Sequence, residues 1–191
     1  MAALACLSLA AHAQSGGFQP LPMESAKATT FEQYTLRLAG PDRADKPTMW
    51  EGPLTVSSGG ASCSVDISLV TEVYAATGRN FLIVLSTSGS NATASFIELA
   101  SCGSKWPPIK RSASTVKVAG NRVSFLAECE GGGRNTPAQC TSARVYAIGH
   151  DSPPAYLRSE SYKLTAKDVG VGFTGEARVM DAHSPHAMIV H

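Results

Sequence analysis

Phe81-Leu82-Ile83-Val84-Leu85 limits what this chain can become more than any other stretch. Five consecutive apolar residues are too few for an isolated helix, and they run into the turn formers Ser86-Thr87-Ser88-Gly89-Ser90-Asn91. A strand with one wet face would alternate, so an unbroken run predicts a strand buried on both faces. The chain resumes over Ala92 to Cys102 as its antiparallel partner, with Ile97 and Leu99 on one side and Phe96, Ala100 and Cys102 on the other. Two strands cannot bury that much apolar surface by themselves, so the rest of the chain must cover them.

The remaining segments carry the same period. Gln33 to Ala39 alternates, and Trp50 to Val56 reads as a strand that Pro53 confines to an edge. Val116 and Val118 flank the bend Gly120-Asn121, with Val123, Phe125 and Ala127 beyond it. Cys140 to Ile148 alternates, and Tyr156 to Ala166 with Val169 to Met180 reads as the last long pair. Ser57-Ser58-Gly59-Gly60 reads as a loop, and Trp106-Pro107-Pro108 as a rigid extended piece closing the central hairpin. One element stays open. Ile67 to Ala76 fits a strand, or a short helix with Asp66 as N-cap and Gly78 beyond its end. The predicted fold is therefore all-β, an antiparallel sandwich or barrel-like assembly of about ten short strands with at most one short helix.

Residues 1–13 read as a leader. Ala2 to Ala11 is small and apolar, and Ala11-His12-Ala13 offers small residues where a signal peptidase cuts. Residues 14–30 read as an extended arm, 31–180 as a single β domain and 181–191 as a tail. The leader is too short to span a bilayer. Sixteen basic against fifteen acidic residues, net +1, with no run of either sign, leave no electrostatic footprint for nucleic acid or an anionic membrane.

Removing the leader removes Cys6 and leaves Cys63, Cys102, Cys129 and Cys140, an even set that predicts disulfides in an exported, periplasmic or secreted chain. Cys129 and Cys140 flank the polar segment EGGGRNTPAQ between two strands, so they face each other across a hairpin neck. Cys63 then pairs with Cys102 by elimination. That pairing meets an obstacle. If Val65 to Tyr74, Phe81 to Thr87 and Thr93 to Cys102 formed one flat meander, the two would lie on the order of 25 Å apart, against a bridging limit near 7 Å. Without a Cys-x-x-Cys pair, the four cysteines do not resemble a zinc site.

Groups that could carry chemistry are sparse. Glu128 and Glu130 project from one face of a strand roughly 7 Å apart, a separation that suits a glycosidase acid and base. His183, His186 and His191 are metal-capable, but Pro185 disfavours the helical geometry that would join the first two on one face. Ser114-Thr115-Val116-Lys117 matches a Ser-x-x-Lys pattern but lies in a strand, without the companion motifs of penicillin-binding enzymes. His150 and Asp151 are neighbours in sequence, so their side chains are expected to diverge. The most suggestive feature is the clamped loop, where Glu130, Arg134, Asn135 and Gln139 stand on a glycine-rich segment pinned at its neck. These observations point to a binding or inhibitory module without cofactor, acting on another protein of the cell envelope, an immunity-type protein among the possibilities. A hydrolase using the carboxylate pair is the rival, and a structural envelope component the third reading.

Overall fold

A computed structural model describes residues 16–23, 28–43, 47–112, 115–130, 139–162, 177–179 and 188–190. Among the described residues the only regular structure is strand, arranged in three antiparallel sheets. The first part of the chain supplies β1 (Gln19–Pro20), β2 (Thr29–Phe31), β3 (Tyr34–Arg37), β4 (Gly40–Pro41), β5 (Trp50–Glu51), β6 (Leu54–Ser58) and β7 (Ala61–Val65). The middle supplies β8 (Val70–Ala75), β9 (Phe81–Ser88), β10 (Asn91–Glu98) and β11 (Ser104–Ser112). The remainder supplies β12 (Thr115–Ala119), β13 (Arg122–Glu130), β14 (Gln139–Ala147), β15 (Ala155–Tyr162), β16 (Ala177–Val179) and β17 (Met188–Val190).

The central run forms β9, in the middle of a seven-stranded sheet ordered β11-β10-β9-β8-β5-β4, with β1 also paired to β8. Phe81, Ile83 and Leu85 face one cluster, where Phe96 and Ala94 from β10 meet Val118, Val123, Phe125 and Tyr146 of the six-stranded sheet β12 to β17, and Ile148 just beyond β14. Leu82 and Val84 face the opposite cluster, where Ile97, Val70 and Val73 meet Leu36, Leu54 and Val56 of the four-stranded sheet β2-β3-β6-β7, and Leu38 just beyond β3. The seven-stranded sheet is thus the middle of three layers, and the expectation of a strand covered on both sides holds. Phe81, Leu82, Ile83 and Val84 are wholly buried, and burying a side chain of this kind contributes roughly 1.5–3 kcal/mol.

Where the sequence reading differs, the chain changes layer at a point that alternation does not mark. The strand expected over Trp50 to Val56 breaks at Gly52-Pro53, a cis peptide, so that β5 belongs to the middle sheet and β6 to the four-stranded one. Gly52 is needed there, because a Cβ at this position would sit 2.1 Å from the Ile67 carbonyl oxygen. Ser57 to Gly60 is not an open loop but the tight end of the β6–β7 hairpin, with φ of 57° at Gly59 and 85° at Gly60. Two successive positive φ values match the twist of the flanking strands, and glycine reaches them without strain. The open element resolves as strand, with Val70, Val73 and Ala75 on one side and Tyr74 and Ala76 on the other. Trp106-Pro107-Pro108 lies inside β11, the edge strand beside β10, where a missing N–H is tolerated.

The same change of layer removes the obstacle to the Cys63–Cys102 bridge. Cys63 is on β7, outside the middle sheet, and Cys102 is not the last residue of β10. The strand ends at Glu98, whose carbonyl accepts a 2.9 Å bond from the Cys102 N–H, and Cys102 takes φ 56°. That turn carries its side chain to the face of Ile97 and Leu99, opposite to the expected one. The two cysteines meet with Cα atoms 5.8 Å apart in a disulfide that staples the four-stranded sheet to the middle layer.

Phe18 performs the corresponding service on the other side. It is 1% exposed, its N–H donates to the Gly120 carbonyl at 2.8 Å, and its ring packs against Phe81 at 5.3 Å. Arg79, the only buried charged residue among those described, sets its guanidinium 5.7 Å from that ring and donates to the Gly149 carbonyl at 2.7 Å.

Candidate functional site

The hairpin β13–β14 has the register expected of a clamped neck. Cys129 stands opposite Cys140, and Glu130 opposite Gln139, at the last two pairs of the ladder. Directly opposed residues of an antiparallel pair have Cα atoms about 4.5–5.5 Å apart, so the backbone brings these cysteines within bridging range. Backbone alone is described for these positions and for Glu128. Arg134 and Asn135 lie outside the described residues, as do His183, His186 and His191. Met188–Val190, within the segment read as a tail, pairs with Ala177–Val179 as the last strand of the six-stranded sheet.

His150 and Asp151 do not diverge. The bend that carries them folds the ring back, so that Nδ1 of His150 lies 2.7 Å from Oδ2 of Asp151. That bond chiefly holds the Asp151 carboxyl below the usual range, with lesser help from Lys105 and Arg79. Both side chains are more than half exposed. Among the described residues no nucleophile is hydrogen-bonded to the ring, so the base-and-orienter geometry has nothing to activate.

A cleft of about 260 Å³ opens beside the Cys63–Cys102 bridge, lined by Tyr34, Val56, Ser58, Ser62, Cys63 and Leu99. Among the described residues, hydroxyls and apolar carbon line it, with no carboxylate, imidazole or amine.

An arrangement that sequence reasoning missed lies on β14 and β15. An aromatic ladder crosses the six-stranded sheet from Phe125 to Tyr146, 5.8 Å between centroids, and on to Tyr156 at 5.5 Å. Arg111, from the edge of the middle sheet, donates from Nε to the Tyr146 hydroxyl at 2.8 Å. The ladder ends in water, with Tyr156 55% exposed and Leu157 45% exposed. The register moves from Val145–Arg158 to Tyr146–Tyr156, which makes Leu157 an extra residue in a bulge on β15. The sequence held a partial signal in Tyr146 and Tyr156 on neighbouring strands. The bulge that places them side by side does not follow from spacing.

No known protein family matches the chain, and no curated protein is significantly similar to it. The functional reading therefore rests on this geometry. Among the described residues no three His, Cys, Asp or Glu side chains converge as a metal site, and no helix is long and apolar enough to cross a membrane.

Proposed function

We propose that this chain is an exported binding module of the cell envelope, of the inhibitory or immunity type, which presents the segment 131–138 to a protein partner. The observation that carries the reading is the register at the end of the β13–β14 hairpin, which sets Cys129 against Cys140 immediately below that segment. A loop whose two ends are tied loses less freedom on binding than a free one, so more of its contact energy is expressed as affinity. The three packed layers and the inter-sheet disulfide supply the rigid base on which such a loop is held. A disulfide belongs to an oxidising compartment, which favours the periplasm or the exterior as its place of action.

The test is affinity capture from a solubilised envelope fraction, with the oxidised protein as bait. One envelope protein is expected to be retained by the wild type and lost with the Glu130→Ala/Arg134→Ala and Cys129→Ser/Cys140→Ser variants. Capture that is absent, or indifferent to those changes, contradicts the reading. Turnover of a peptidoglycan panel, abolished by Glu128→Gln, would instead establish the hydrolase.

A further inference from the structure

The exposed end of the aromatic ladder is built in a way that a solvent-facing surface does not require. Tyr156 is fixed at two points, by the 2.7 Å bond between its hydroxyl and Ser159 Oγ and by its edge contact with the Tyr146 ring, 64° between planes. The residue is 55% exposed, in an orientation these two contacts set. The bulge at Leu157 is what brings it onto the face of Tyr146, and bulges commonly re-aim side chains beside binding sites. Arg144 completes the arrangement. It lies two residues before Tyr146 on β14, so it shares that face, and it stands opposite Ser159 on β15. That makes it the diagonal neighbour of Tyr156, about 7–8 Å away between Cα atoms. Arg144 is exposed.

We propose that Tyr156 and Arg144 form a binding site for a carboxylated pyranose, a uronic acid unit within an acidic polysaccharide. The C–H groups of a pyranose present a flat, weakly positive face that matches the negative face of an aromatic ring. A carboxylate on the same ring, one sugar's width away, reaches a guanidinium at the diagonal position and accepts two parallel hydrogen bonds from it. Arg111 acts as a positioning residue: it holds Tyr146, which holds Tyr156, and adds positive potential behind the site. Arg144, Tyr156 and Leu157 are all exposed on the strand face, so the site suits an internal unit of a chain rather than a free monosaccharide. An acidic peptide would engage Arg144 but has no use for a pre-set aromatic platform. The site is distinct from the hairpin segment 131–138, and the inference stands without the proposed protein partner.

The experiment is calorimetric titration of the intact, oxidised protein with oligogalacturonate. Three companions separate the causes: methyl-esterified oligogalacturonate, which keeps the sugar and loses the charge; poly-glutamate, which keeps the charge and loses the sugar; and the Glu130→Ala/Arg134→Ala variant. Binding of oligogalacturonate is expected, weakened roughly tenfold or more by esterification or by Arg144→Gln, the loss of a charge-assisted bond. Tyr156→Ala is expected to weaken it roughly two- to tenfold and Tyr156→Phe by less than about twofold, each with cooperative unfolding retained. The hairpin variant is expected to bind as the wild type does. No binding at millimolar oligogalacturonate, equal affinity for poly-glutamate, indifference to Tyr156→Ala, or loss in the hairpin variant each overturns the assignment.

Discussion

If the middle sheet is covered on both faces, adjacent residues of β9 must be equally costly to truncate. Leu82 sits among Ile97, Leu36, Leu54 and Val56, and Ile83 among Phe96, Val123 and Phe125, both with no exposed area. Changing either to alanine removes three carbon groups at roughly 0.8 kcal/mol each, and the cavity left behind raises the total to roughly 3–5 kcal/mol. That is a large share of the roughly 5–15 kcal/mol that holds a domain folded. The assay is urea unfolding of the oxidised protein followed by tryptophan fluorescence, compared at constant denaturant slope. Ser88→Ala at the exposed end of the strand, a change of less than about 0.5 kcal/mol, is the control. A loss below about 1 kcal/mol at either Leu82 or Ile83 would mean that one face is not packed, and the three-layer arrangement would be refuted.

Gly52→Ala drives a methyl group into the Ile67 carbonyl oxygen and is expected to cost at least about 2 kcal/mol, read as a lowered unfolding midpoint. Cys63→Ser/Cys102→Ser opens a bridge with a sequence separation of 39, and loop entropy puts the loss at about 4 kcal/mol, measured against the oxidised wild type. Asp42 accepts bonds from the backbone N–H groups of Met49 and Thr48 and from the Thr48 hydroxyl, which lower its pKa from 3.8 to about 2. Because the folded-state value is depressed, its contribution is complete above about pH 4 and is lost as pH falls towards 2. The Thr48 and Met49 amide resonances are therefore expected to titrate with a midpoint near 2 in the wild type and not at all in Asp42→Asn.

Much of the fold was legible because local rules and tertiary needs agreed. An unbroken apolar run can satisfy itself only between two layers, and Phe81 to Leu85 reported the sandwich directly. Gly120-Asn121 reported its own hairpin for a similar reason, since the bend and the flanking valines point to one geometry. Changes of layer were not legible. Nothing in Trp50 to Val56 announces that the chain leaves one sheet for another at Gly52-Pro53, because both halves keep the strand period. The error at Cys102 has the same source, since alternation was carried past Glu98 into a turn that reverses it. The candidate sites divide along that line too. That Cys129 faces Cys140 follows from hairpin spacing alone, whereas Tyr156 beside Tyr146 depends on one extra residue at Leu157, which only the ladder register shows.

The measurement that bears most directly on the whole account is the disulfide map of the native, unreduced protein, obtained by proteolysis and mass spectrometry. It is expected to join Cys63 to Cys102 and Cys129 to Cys140, as the inter-sheet staple and the clamped neck require. Free thiols at Cys129 and Cys140, or a bridge from either of them to Cys63 or Cys102, would contradict it.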